Sequence, residues 1–179
     1  QLPRVSEIIQ AVGLGPDLSM VAADVLAAGM ARGAAVHALI EAQHYGYLDE
    51  ADVAPEHAPY LAAYRTFLAE SQYEPIACEI EVVDPNWRYR GHPDLIGWLL
   101  GNRNVIDVKT GDASGGAYQV AAYGGAWTAE RPSEAVKAGA ILHLRADGTY
   151  RFEEIEMAPA LDVFHAAVIV HRAQQGRRG

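Results

Sequence analysis

The chain has 179 residues, half of them hydrophobic and 21% charged, with 17 glycines and 9 prolines. That composition excludes a collagen-like or wholly disordered chain and suits a single domain over residues 1–179. The formal net charge of −9 argues against a non-specific nucleic-acid coat, but not against a nucleic-acid enzyme whose site holds metal cations.

Residues 3–12 predict a short helix with Ser6 as its cap, and Gly13–Asp17 a turn. Apolar spacing predicts a second helix from Ser19 to Gln43. Gly29 and Gly33 inside it imply a break or a close helix contact, since each costs roughly 1 kcal/mol against Ala. Gly46–Pro55 reads as a loop and Glu56–Ser71 as a helix; residues 1–72 thus form a helical N-terminal part. Residues 73–158 carry the sheet. Ile76–Val83 alternates and is β-branched, so a strand is expected there, followed by a turn at Asp84-Pro85-Asn86. Trp87–Arg90 and Leu95–Leu100 read as one further strand, interrupted at Gly91-His92-Pro93. A tight hairpin at Gly101–Asn104 leads to a strand over Val105–Lys109. Thr110–Gly116 is a Gly-rich loop with Asp112 or Ser114 as a cap. A helix over Ala117–Thr128, strands at Ala138–Arg145 and Tyr150–Glu156, and a helix over Pro159–Gln174 complete the order, with a frayed tail at Gly176-Arg177-Arg178-Gly179. The expected fold is α/β: a mixed central sheet flanked by helices. It comprises a three-stranded antiparallel meander, a crossover helix and two further strands. Residues 159–179 make the C-terminal helix and tail.

A single cysteine, Cys78, excludes an intrachain disulfide and a four-cysteine zinc or iron–sulfur site, and suits a reducing compartment. No uninterrupted apolar run reaches ~18 residues, so no membrane span is expected. The first residues lack a basic segment followed by an apolar one, so no secretory signal is expected and a cytoplasmic location is.

The chemistry concentrates in Gly91-His92-Pro93-Asp94 and Val105-Ile106-Asp107-Val108-Lys109-Thr110-Gly111. Alternate strand residues share a face, so Asp107 and Lys109 point together. A hairpin brings Asp94 near Asp107, and Glu79 and Glu81 share a face on the strand before. Clustered carboxylates repel unless a cation neutralises them, and oxygen ligands select hard ions such as Mg²⁺ or Mn²⁺. A lysine beside them can orient water or steady charge on a phosphate. Carboxylates, metal and lysine together make up a site for metal-assisted phosphodiester hydrolysis. Taken singly, the motif is equally a solvent-facing Asp–Lys pair, and His37 a half-buried surface histidine. Gln119 and Tyr123 lie one turn apart on a helix and suit either packing or a supporting role. Arg88, Arg90, Arg145 and Arg151 are candidates to line a nucleic-acid path.

Together these residues resemble the PD-(D/E)xK nuclease superfamily, and within it the RecB-like and phage exonucleases. Asp94 in GHPDLIG resembles the family's first acidic residue, and Asp107-Val108-Lys109 its D/E-x-K. Gln119 and Tyr123 resemble its following helix, and Gly33 with His37 its N-terminal Gly-then-His element. Glu79 resembles its glutamate on the first strand, with Glu81 competing. The resemblance implies a restriction-endonuclease-like core. It makes His37, Glu79, Asp94, Asp107 and the Val108 carbonyl metal ligands for one or two Mg²⁺ or Mn²⁺ ions. Asp94, Asp107, Glu79 and Lys109 become the catalytic set, with Lys109 activating water. Gln119, Tyr123, Glu81, His92 and Thr110 then bind substrate or support the site. The bulk of His92-Pro93 departs from the family's small residues and marks His92 as a substrate contact.

The implied activity is a metal-dependent deoxyribonuclease leaving 5′-phosphates. It acts on single- or double-stranded DNA as a phage or prophage exonuclease, in the cytoplasm of a bacterial or phage-infected cell. A recombination partner protein and an oligomer are compatible with it, a membrane is not. An endonuclease, a catalytically silent module binding DNA or protein, and a glycosidase with paired carboxylates remain alternatives. Gly111–Gly116 lacks the Lys-Ser/Thr of a phosphate loop and the Gly-x-Ser-x-Gly of a nucleophile elbow, and no H-E-x-x-H occurs.

Overall fold

The longest strand runs from Asn102 to Lys109, and its alternating side chains divide the molecule into two cores. The structure, a computed structural model, describes residues 1–176; of the predicted frayed tail, Arg177, Arg178 and Gly179 lie outside the described residues. Helices α1 (Val5–Ala11), α2 (Ala23–Tyr45) and α3 (Ala58–Ser71) come first. Strands β1 (Glu74–Cys78), β2 (Val82–Asp84), β3 (Tyr89–Gly91), β4 (Leu95–Leu99) and β5 (Asn102–Lys109) follow. Helix α4 (Gly116–Glu130) leads to β6 (Ala138–Leu144), β7 (Tyr150–Ile155) and α5 (Met157–Gly176).

The main sheet has five strands in the order β1-β4-β5-β6-β7, with β5 and β6 parallel and the other pairs antiparallel. The result is a mixed α/β fold with a five-stranded mixed sheet flanked by helices. Val105 joins Ile96, Ile141, Val120 and Phe164 in the core under α1, α4 and α5. Ile106 and Val108 join Leu95, Leu142, Leu61 and Phe67 in the core under α2 and α3. Asp107 keeps step with Val105 and therefore faces the α4 side.

Several expectations change in detail. The strand expected over Ile76–Val83 is broken: β1 stays in the main sheet, and β2 turns away to pair with β3 in a separate two-stranded ribbon. Glu79 makes the turn, its φ of 52° in the left-handed region where non-glycine residues are uncommon. The strand expected across Gly91-His92-Pro93 is likewise two strands in two sheets. The tight turn sits at Leu100-Gly101, with φ of 50° and 78°, ahead of the predicted Gly101–Asn104. Ser6 lies inside α1, whose first turn is capped by Glu7 accepting from Arg4 N at 2.9 Å. Gly115 caps α4, and Asp112 instead accepts from Ser114 N at 2.9 Å.

Helix α2 runs unbroken through Gly29 and Gly33, and neither glycine marks a tight contact. A Cβ on either would find its nearest neighbour at 3.8 Å. The helix is held instead by polar anchors: Arg32 Nη2 donates to Thr110 O at 3.3 Å, and His37 Nε2 lies 3.0 Å from Val108 O. By length and composition α2 is sufficient to cross a membrane, although uninterrupted apolar runs predict no span. Both anchors tie it to the end of β5.

Gly97 is where backbone approach is closest. A Cβ there would collide with Glu74 O and lie 2.7 Å from Tyr73 Cζ and 2.8 Å from Pro75 Cα. Because the obstacle is mostly main chain, Gly97→Ala should cost about 3 kcal/mol and lower Tm by roughly 6–12 °C. Thermal unfolding followed by circular dichroism checks this; an unchanged Tm contradicts the β1–β4 packing.

Candidate metal centre

The β4–β5 ladder ends at the pair Leu95↔Ile106. Beyond it the strands part, and Val108 N has no strand acceptor on that side. The Asp94 carboxylate supplies one, with Oδ2 accepting from Val108 N at 2.5 Å. Across the same gap Glu79 N donates to Asp94 O at 3.2 Å, extending the β1–β4 register by one residue. The fork in the sheet thus carries Glu79 and Asp94 to the C-terminal end of β5.

His37 reaches this fork from α2. Its Nδ1 lies 3.0 Å from Glu79 Oε1 and 3.3 Å from Asp94 Oδ1. Burial opposes a charge on the ring, but the hydrogen bonds and charges of Asp94 and Glu79 outweigh it and raise its pKa to about 11. His37, Glu79 and Asp94 each place one donor atom within 4.8 Å of the others, which is a spacing that could hold a metal ion.

Asp107 and Lys109 lie beside this group, on the α4 side. Asp107 is 2% exposed, and Lys109 Nζ stands 2.7 Å from its Oδ2. The ammonium is directed at Gln119 Oε1, 2.9 Å away, so Asp107 Oδ2 is buried without a well-aligned hydrogen bond. Burial, and then the charge of Asp94, push the Asp107 carboxyl up to about 6 against the opposing pull of Lys109. Burial works against the Lys109 charge too, yet the neighbouring Asp107 and Asp94 raise its pKa above the ordinary value. Lys109 is therefore a fixed cation, and Asp107 Oδ2 is a buried oxygen at ion-pair distance from it.

The remaining predicted residues divide. Gln119 holds the lysine, while Tyr123 is buried beneath the site; a Cβ on Gly91 would strike its ring. Burial, reinforced by the three carboxylates, raises the Tyr123 phenol well above its usual value. Val108 offers its carbonyl to His37, and Thr110 borders the open cleft. Glu81 does not join: it pairs with Arg90 Nη1 at 2.6 Å, because the broken strand turns it away from Glu79. His92 is exposed and does not line the cleft. Arg88 and Arg90 line a separate cleft near α1 and α5, whereas Arg145 and Arg151 lie near Lys109. Arg32 and His143 carry no sequence expectation; their nearness to Thr110 and Lys109 depends on tertiary register, which no local motif signals.

The cleft over the cluster has a volume of about 1020 Å³, with the first half of α2 as one wall and residues 108–112 as the other. His37, Glu79 and Asp94 give a donor set of two carboxylates and one imidazole. Such a set could hold a divalent metal ion.

No protein-family profile and no curated protein matches the chain. Among solved structures, SSO0001 shares 16% identity at a TM-score of 0.36, covering 75% of this chain and 74% of that one. The alkaline exonuclease LHK-Exo from Laribacter hongkongensis shares 11% identity at a TM-score of 0.37, covering 98% of this chain and 91% of that one. LHK-Exo in complex with dAMP gives 12% and 0.34, covering 99% and 95%. Likeness at this level fixes neither the fold family nor the chemistry.

Proposed function

We propose that the chain is a Mg²⁺- or Mn²⁺-dependent deoxyribonuclease of the PD-(D/E)xK superfamily, built as one restriction-endonuclease-like domain over residues 1–179. Within that reading it is an exonuclease of the RecB-like and phage type, acting in DNA processing or recombination in the cytoplasm. The observation that carries the reading is the convergence of His37, Glu79 and Asp94 beside the buried Asp107–Lys109 pair at one strand end.

His37, Glu79, Asp94, Asp107 and the Val108 carbonyl are the residues that would hold the metal. A divalent ion held there would supply Lewis-acid chemistry toward a phosphoryl oxygen and a water. Lys109 stays protonated, so its part is to donate a hydrogen bond and fix charge on water or phosphate, not to abstract a proton. Gln119 holds the ammonium in position and acts through it. Asp107 keeps Lys109 charged and contributes an oxygen to the metal side. The Gly-rich corner after Thr110 leaves the cleft open to a polymer.

The test uses end-labelled linear DNA and covalently closed circular DNA with Mg²⁺, Mn²⁺ or EDTA. Loss of linear but not circular DNA, stopped by EDTA, is the expected result. Nicked circles make the protein an endonuclease. No cleavage of either, with calorimetry still showing Mn²⁺ bound, replaces the nuclease reading with a binding module.

A further inference from the structure

Two strand registers bring basic side chains together at one corner of the cleft. The parallel β5–β6 pairing sets His143 beside Lys109, and the β6–β7 pairing sets Arg151 opposite His143. Arg145 follows at the end of β6. These residues line a hollow of about 310 Å³ that shares Lys109, Thr110 and Gly111 with the metal cleft. A second hollow of about 550 Å³ continues past Gly111 along His143 and Arg151. Gly111 forms the saddle between the hollows. A Cβ there would have only Arg32 Nη2 nearby, at 3.6 Å, so a backbone can pass close.

The charges agree with an anionic guest. Arg145 and Arg151 are exposed, and Arg32 flanks the saddle from the other side. Glu153 accepts from Arg151 Nη1 at 2.8 Å and stands 2.9 Å from His143 Nε2, which is itself 2.8 Å from Arg151 Nη2, so the three side chains form one cluster. Asp112, which also lines the cleft and the second hollow, and Asp147 are each engaged in their own loops, accepting from Ser114 N and Thr149 N at 2.9 Å. In a chain of net charge −9, five basic side chains thus surround one glycine.

We propose that this groove, from Lys109 over Gly111 to His143, Arg145 and Arg151, is the track for the phosphates of the strand adjoining the cleaved bond. The inference rests on the nuclease reading. Two strand spacings span roughly 10 Å, the axial run of about three phosphates on one duplex strand. Contacts to those phosphates give grip without sequence preference.

The test compares wild type with the double variant Arg145→Ala/Arg151→Ala. One substrate is an oligonucleotide long enough to cross the groove; the other is thymidine 5′-(p-nitrophenyl phosphate), which ends at the metal cleft. The double variant should show a ratio of kcat/KM, oligonucleotide over ester, lower by about tenfold or more, mainly through KM. The slope of log affinity against log salt should fall by about 1–2, one for each phosphate that the variant no longer neutralises. A double variant matching wild type in ratio and slope overturns the groove and leaves the nuclease reading standing. Wild-type protein that hydrolyses neither substrate with Mg²⁺ or Mn²⁺ overturns the nuclease reading and the groove with it.

Discussion

Lys109→Ala leaves a folded protein that hydrolyses DNA about 10²–10³-fold more slowly, or not at all, in saturating Mn²⁺. The ammonium lines the cleft, standing 2.7 Å from Asp107 and 2.9 Å from Gln119. A mobile surface charge cannot replace a cation held at that point. Lys109→Arg does not rescue it: the guanidinium is planar and larger, and it would pair in a fork with Asp107 where a single donor now stands. Gln119→Leu retains the charge but frees the ammonium to swing, so a loss of about tenfold or less is expected. Timed cleavage of end-labelled linear DNA reads all three. Lys109→Ala retaining more than a tenth of wild-type activity removes the lysine from the chemistry.

Asp94 separates structure from metal binding. In wild type, Mn²⁺ at a hundredfold excess over its Kd should add about 2.7 kcal/mol, raising Tm by roughly 5–10 °C. Asp94→Asn keeps an oxygen to accept from Val108 N, so the metal-free protein stays folded while the Mn²⁺-induced shift disappears. Asp94→Ala loses the shift and also orphans a buried backbone donor, at a cost of about 1–3 kcal/mol. Differential scanning calorimetry with and without Mn²⁺ distinguishes the three proteins. An undiminished shift in Asp94→Asn excludes Asp94 as a ligand.

Asp107 and Lys109 are legible in the sequence because strand alternation is local: two residues apart means one face, whatever the strand pairs with. The proximity of Asp94 to Asp107 is nearly as legible, since a short turn permits few registers. The choice between Glu79 and Glu81 is not. Alternation across Ile76–Val83 treats both as equals, and the left-handed turn at Glu79, which sends Glu81 to Arg90, comes from competition between the main sheet and the β2–β3 ribbon. The continuity of α2 is hidden for a similar reason. Glycine propensity predicts a break, and the anchors that override it, Thr110 O and Val108 O, lie more than seventy residues away. His143 could not be singled out because its place beside Lys109 follows from a parallel pairing closed by an intervening helix.

The exposed edge of the sheet at β1 has a bearing on how copies of the chain meet. Pro75 has no N–H, and the register slips between Pro75 and Ala77, so the outward row of donors and acceptors is both short and irregular. A second sheet could not extend this one there without losing hydrogen bonds at once. Even at high concentration, self-association through that edge is discouraged, and the β1 side resists the strand-on-strand stacking that starts fibrils.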